Sequence, residues 1–180
     1  MQPAKTFGQF CLSNGQAVIL RAPHPQDLAG LLFFVNSLVD EKAQVAINHK
    51  LTRDEEAEWL SETFLAINRG VLFFLVAESD GKIVATGEVD IQKDNFGTVG
   101  IAVMAGYRNM SVGTKIMETL TGQAVALKLV GLVLKVFATN TQAIRFYEKL
   151  GFSKSAVNPK RHLWRSKFVD EVVMTKSLSQ

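Results

Sequence analysis

Val99-Gly100-Ile101-Ala102-Val103-Met104 leads into Tyr107-Arg108-Asn109-Met110-Ser111-Val112-Gly113-Thr114, and an apolar stripe follows at helical spacing: Val112, Ile116, Met117, Leu120, Ala124 and Leu127. The pattern predicts a strand, a small-residue turn and a helix. A helix entered this way leaves several backbone N–H groups unpaired at the positive end of its dipole, which is where an anion binds. Charge agrees with that reading. Between Asn95 and Tyr147 the only acid is Glu118, against Arg108, Lys115, Lys128, Lys135 and Arg145. With no carboxylate in its first turn, the helix start either receives a foreign anion, a phosphate above all, or is buried and capped by Ser111. A P-loop is excluded, because Gly113 is followed by Thr114-Lys115 and sits too far from Gly106. The dinucleotide fingerprint G-x-G-x-x-G is absent as well.

A second stretch reads Asn140-Thr141-Gln142-Ala143-Ile144-Arg145-Phe146-Tyr147-Glu148-Lys149-Leu150-Gly151-Phe152. Asn140 and Tyr147 are two helical turns apart and share a face, with the small Ala143 between them; Gly151 then ends the helix. Together the two stretches resemble the signatures of the GNAT N-acetyltransferases. Arg108-x-x-Ser111-x-Gly113-Thr114 is similar to that family's pyrophosphate loop, Q/R-x-x-G-x-G/A. The second stretch is similar to its N-x-x-A-x-x-F-Y-E-K-x-G-F, in the family's order and spacing. Ser111 departs from the pattern by standing where the first loop glycine is expected, and a positive φ there would strain it.

Outward from these motifs, 180 residues with 47% hydrophobic and 21% charged content fit a single globular domain over residues 1–180, its core about 16–178. A net charge of +3 without a Lys/Arg block gives no support for nucleic-acid binding. The lone Cys11 excludes an internal disulfide and a multi-cysteine zinc site. His24, His49 and His162 show no ligand spacing, so no metal is expected. Neither a signal peptide nor a membrane span is legible, and the expected location is cytoplasmic.

Asn14-Gly15 marks a turn before a first strand, Gln16 to Arg21. Pro25 opens a helix with a stripe of Leu28, Leu31, Leu32, Val35 and Leu38; residues 40–51 form a loop. Thr52-Arg53-Asp54-Glu55 is a capping box for a second helix, ending by Gly70, with Ala57, Leu60, Phe64 and Ile67 on its apolar side. Strands follow at Val71 to Glu78 and Lys82 to Ile91. The chain closes with strands from Phe152 to Val157 and Phe168 to Thr175, joined by a basic loop. The expected order is β-α-α-β-β-β-α-β-α-β-β: an α/β, mixed α+β fold of about seven strands in a mixed sheet flanked by about four helices. It matches the fold that the resemblance implies.

The resemblance also implies chemistry. Acetyl-CoA would be the co-substrate, its pantetheine arm on the backbone of Ile101 and Val103, with Ala102 between them at the cofactor, and its pyrophosphate on Asn109, Met110, Ser111, Val112, Gly113 and Thr114. Arg108 would either pair with a phosphate or cap the turn. Asn140 and Ala143 would border the cofactor. Tyr147 would protonate the leaving thiolate, unless it is a core aromatic. The position where many relatives carry a catalytic glutamate is Thr98 here, so Glu88 and Asp90 are the nearest candidates for a base, or else plain solvated carboxylates. Residues 40–62 hold seven acids against Lys42, Lys50 and Arg53: a rim for a cationic acceptor or a solvated helix face. Asn48 and His49 are candidate acceptor contacts. Lys160, Arg161, Arg165 and Lys167 would meet the coenzyme's 3′-phosphate, or only solubilise a loop. The implied activity is acetyl transfer to a primary amine, of a small molecule or of a protein or peptide, by direct attack in a ternary complex. The alternative is a non-catalytic acyl-CoA-binding sensor or regulatory module. The final strands offer a surface for a homodimer.

Overall fold

In the computed structural model, which describes residues 4–45, 47 and 49–178, eight strands form one sheet. The chain runs β1 (Thr6–Cys11), β2 (Ala17–Arg21), α1 (Leu28–Asp40), α2 (Arg53–Asn68), β3 (Leu72–Ser79), β4 (Lys82–Ile91), β5 (Phe96–Val103), α3 (Val112–Ala126), β6 (Gly131–Phe137), α4 (Thr141–Lys149), β7 (Ser153–Trp164) and β8 (Lys167–Ser177). The sheet order is β1-β2-β3-β4-β5-β6-β8-β7. Only β5 and β6 pair in parallel, joined by the crossover helix α3. The mixed sheet and four helices are those expected, with one strand more. The Asn14-Gly15 turn is the bend of a hairpin, and β1, which the alternation did not reveal across Gly8, is its other arm.

Helices cover both faces. On one, α3 and α4 bury Ile116, Met117, Leu120, Ile144 and Tyr147 against Leu75, Val89, Leu134 and Met174. On the other, α1 and α2 bury Leu31, Phe34, Leu38 and Leu60 against Phe74, Val76 and Ile83. The capping box forms as read: Thr52 Oγ1 accepts from Glu55 N at 3.3 Å, and the Glu55 carboxylate accepts from Thr52 N at 2.7 Å. The buried phase of α1 differs from the stripe assigned, whereas in α2 Leu60, Phe64 and Ile67 pack on this core as expected. Phe34 replaces Leu32 and Val35 in α1, while Glu56 and Thr63 flank Leu60 in α2. Packing against a twisted sheet selects the face, and a helix apolar nearly all round, such as α1, does not announce which.

The basic loop before β8 is instead a strand. β7 and β8 form a long hairpin closed by Arg165-Ser166, both left-handed with φ of 49° and 60°. Lys160 and Arg161 stand on β7, and Lys167 opens β8. Pro159 concealed the strand; a proline is tolerated there because β7 is the sheet edge and shifts register between Asn158 and His162.

Where α3 crosses the sheet, Gly87 of β4 lies beneath it. A Cβ there would stand 2.4 Å from Ile116 Cγ2 and 3.4 Å from Leu120 Cδ1, both on the buried side of the helix. Gly87→Ala is expected to cost about 1–3 kcal/mol of stability by overpacking. Urea denaturation would show a lower midpoint with an unchanged slope.

Candidate functional site

The parallel seam between β5 and β6 is short. Phe96 pairs with Gly131, Gly97 with Leu132 and Thr98 with Val133, and there the pairing ends. Glycines let the strands approach at the closed end: a Cβ on Gly131 would stand 2.5 Å from the Phe96 ring, and one on Gly97 2.6 Å from Val89. Beyond Thr98, β5 stays on β4 and β6 stays on β8, so a wedge opens between them. The bonds Gln92 N to Phe96 O and Met104 N to Val84 O fix the parity of the antiparallel ladder. Even-numbered residues of β5 bond β4, and odd-numbered ones turn their backbone groups into the wedge. Ile101 therefore presents its N–H and C=O there, and Val103 its N–H. The Val103 carbonyl already accepts from Arg108 Nε at 2.8 Å.

The loop at the wedge mouth adopts the conformation that its sequence resists. Ser111 sits in the left-handed region, φ 65° and ψ 2°, and makes no side-chain cap to α3. Asn109 is left-handed too, φ 61°, and its Oδ1 accepts from Gln142 Nε2 of α4 at 3.1 Å. The first intrahelical bond runs from Lys115 N to Ser111 O. The N–H groups of Val112, Gly113 and Thr114 thus have no backbone partner within α3, and the serine does not cap them. Of the two readings of this helix start, capping by Ser111 is the one the geometry removes. Gly113 leaves space between Phe146 and Ile101, each under 4 Å from where its Cβ would be. Arg108 is tied inward: its guanidinium pairs with Glu41 at the end of α1, whose other oxygen accepts from Ala105 N at 3.1 Å. Glu41 had been read only as one acid of a run.

Helix α4 forms the wedge's far flank. Asn140 caps it, Oδ1 accepting from Ala143 N at 3.1 Å, so this side chain has a local structural task. Tyr147 is 8% exposed, between the rings of Phe146 (5.2 Å) and Phe152 (5.8 Å). Burial pushes its hydroxyl up to about 12. That hydroxyl has no hydrogen-bond partner among the described residues, yet none of their fully buried polar side-chain atoms lacks one, so it reaches an opening.

On the opposite face of the sheet, Glu88 lies across Gly100 of β5, where a Cβ would stand 2.9 Å from its Oε1. Burial raises the Glu88 carboxyl above its ordinary range, with the charge of Asp90 adding to the shift. Thr98 shares this face and Asp90 is exposed on it. The acidic run divides: Asp40 pairs with Lys50 at 2.9 Å, Asp54, Glu58 and Glu62 are exposed, and Glu56 is buried. His49 lies 3.9 Å from Glu55, and Asn48 falls outside the described residues. Gln44 donates to Thr139 Oγ1 at 2.6 Å, drawing the α1–α2 loop over the end of β6. Trp164 and Arg165 at the hairpin tip line two cavities there, of about 500 and 320 Å³. The smaller is shared with Val39, Lys42, Ala43 and Ile47, and no sequence pattern singles out Trp164.

Comparison with known proteins bears on all of this. The model of the acetyltransferase (GNAT) family matches residues 37–152. The [ribosomal protein bS18]-alanine N-acetyltransferase of Escherichia coli (strain K12) is 26% identical over 135 residues, 74% of this chain and 90% of the relative. Among solved structures, a ribosomal L7/L12 alpha-N-protein acetyltransferase in complex with coenzyme A superposes with a TM-score of 0.84 at 9% identity, over 97% of this chain and 98% of that one. A phosphinothricin acetyltransferase from Sinorhizobium meliloti, in complex with AcCoA, gives a TM-score of 0.78 at 15% identity, over 90% and 89%. At such identities the two structures speak for the fold alone.

Two stability measurements test this geometry. Relief of the left-handed serine predicts that Ser111→Gly gains up to about 1 kcal/mol, whereas the branched Ser111→Val loses about 1–2 kcal/mol. For Glu88, the folded chain holds the proton more tightly than the unfolded chain, so its contribution is full at low pH and is lost as pH rises through the carboxylate range. Glu88→Gln should melt above wild type at pH ~7, and the difference should close near pH ~4.

Proposed function

This chain belongs to the acetyltransferase (GNAT) family, and on that premise we propose that it transfers an acetyl group from acetyl-CoA to a primary amine by direct attack in a ternary complex. The observation that carries the reading is the wedge: an open strand edge leading to an uncapped helix start. A ligand with an amide-bearing arm and a pyrophosphate finds the complementary groups in that order. The backbone of Ile101 and the Val103 N–H would take the arm. The N–H groups from Asn109 to Thr114 would take the pyrophosphate, with Met110 and Val112 contributing backbone only. Ala102 and Ala143 leave the walls low. In this reading Arg108 shapes the loop through Glu41 and Val103 rather than gripping a phosphate, and Asn140 holds the start of α4.

Acetyl-CoA supplies an acetyl group activated as a thioester. The chain's own contribution is positioning and proton management. A backbone N–H on the open edge polarises the acetyl carbonyl. Tyr147, whose hydroxyl is undissociated at neutral pH and free of competing bonds, donates a hydrogen bond to the departing sulfur and then its proton. Glu88 stands on the acceptor side as a carboxylate without a fixed partner, against which an ammonium docks and to which it can yield a proton. Relatives are named for a ribosomal-protein alanine and for phosphinothricin, and a protein or peptide amine and a small amine both fit this scheme.

Calorimetric titration with acetyl-CoA is expected to show micromolar binding by the wild type and none by Gly113→Trp, whose side chain would fill the wedge mouth. Tyr147→Phe should bind as the wild type does while kcat falls about 100-fold, a usual size for loss of a general acid. No heat of binding from a folded wild type would refute the proposal.

A further inference from the structure

One buried ionisable group has no part in the roles above. Glu171 of β8 is 3% exposed, opposite Phe137 of β6 and Asn158 of β7. Its carboxylate accepts from Asn158 Nδ2 at 3.0 Å and lies 2.6 Å from His162 Nε2. The register shift between Asn158 and His162 sets both side chains beside this one residue. Burial pushes the Glu171 carboxyl up, but the hydrogen bonds from Asn158 and His162, with the charges of His162 and Lys135, outweigh it and hold the group below the ordinary carboxylate range. An ionised carboxylate only accepts, so Nε2 carries a ring hydrogen and Nδ1 is the nitrogen at which the ring gains or loses a proton. Nothing among the described residues hydrogen-bonds Nδ1, and the His162 side chain is 28% exposed.

Its position is the second observation. The His162 ring packs on Phe137, centroids 4.7 Å apart. Continuing the register from Thr98 and Val133, Phe137 stands level with Ala102, at the wide end of the wedge. Alternation along β6 puts Lys135 and Phe137 on the face of Thr98 and Glu88, away from α3 and α4. Phe137 also meets the Trp164 ring at 6.4 Å, and Trp164 lines the cavities under the hairpin tip. The charged groups around it are Glu171 on β8, Lys135 on β6, Arg165 stacked on Trp164 at 4.4 Å, and Lys42 beyond the smaller cavity.

We infer that His162 of β7, oriented by Glu171 and stacked on Phe137 of β6, is a proton acceptor for the incoming amine, on the same face of the sheet as Glu88 of β4; this rests on the acetyltransferase reading. An imidazole is better matched than a carboxyl group to an ammonium at neutral pH. The ammonium gives one proton to Nδ1. Its nitrogen then bonds the acetyl carbon as the carbon–sulfur bond breaks, its second proton leaves to the sulfur by way of the Tyr147 hydroxyl, and Nδ1 returns the first to water.

His162→Gln tests this, because its amide can keep the donor toward Glu171 while the basic nitrogen is gone. Thiol release from acetyl-CoA would be followed with phosphinothricin, with an alanine-initiated peptide, and with water alone. The expected result is a 10- to 100-fold loss of kcat/KM at pH ~7 that narrows toward parity above pH ~9, where the amine sheds its proton unaided. Acetyl-CoA affinity should not change. Glu171→Gln, which preserves shape, should show the same recovering loss and covers the case of a misfolded His162→Gln. Wild-type rates in these variants, or a loss constant with pH, would overturn the inference alone. A wild type that binds acetyl-CoA but releases no thiol with any of the three would overturn the enzyme reading and this one with it.

Discussion

Everything at the site follows from a seam that stops. β5 and β6 are bonded over three residue pairs and then diverge, each held by its other neighbour. A sheet leaves backbone N–H and C=O groups unpaired at an outer edge as a rule, where water satisfies them. Here the open groups lie in the middle of the sheet, between two strands that cannot swing together without leaving β4 or β8. The wedge is therefore a rigid slot. An extended, amide-bearing ligand of the kind proposed would meet groups already in place, without the ordering cost that a flexible loop would incur.

The same geometry explains what the sequence showed and what it hid. Both motifs are local, so strand, turn and helix could be read from spacing, and Thr52 and Glu55 close their box; the cap that Asn140 makes to α4 was hidden behind the cofactor-side role that the resemblance implies for it. The wedge itself was legible only through family resemblance, because nothing in Val99 to Val103 distinguishes a strand bonded on both sides from one bonded on a single side. Long-range pairings were silent. Glu41 meets Arg108 across 67 positions, and Gln44 reaches Thr139 across 95. A proline's missing donor is tolerated in an outermost strand, and the sequence does not state that Pro159 lies in one. Glu56, one acid in a solvated-looking run, is buried by the angle at which α2 meets the sheet.

Glu41 and Gln44 carry a further meaning. One ties the α1–α2 loop to the turn before the anion-binding loop, and the other ties it to the segment entering α4. The rim on the acceptor side is thus fastened to both banks of the wedge. Under the proposed function, a shift that a bound pyrophosphate imposed on Arg108 would be felt at Glu41, and displacement of that rim by an acceptor would be felt at Arg108. Affinities linked through such a shared contact change reciprocally, by the same factor in each direction.

β7 is the sheet's last strand, twelve residues long, with Val157 and Leu163 exposed. Such an edge invites another strand to add to it. Lys154, Lys160 and Arg161 along it, the missing donor of Pro159 and the shift before His162 work against that in combination. Two copies laid edge to edge would oppose like charges and mismatched ladders. The irregularity that turns His162 toward Glu171 thus doubles as a guard against fibrous self-association, so a substitution that straightened this strand would endanger colloidal behaviour and the His162–Glu171 contact together.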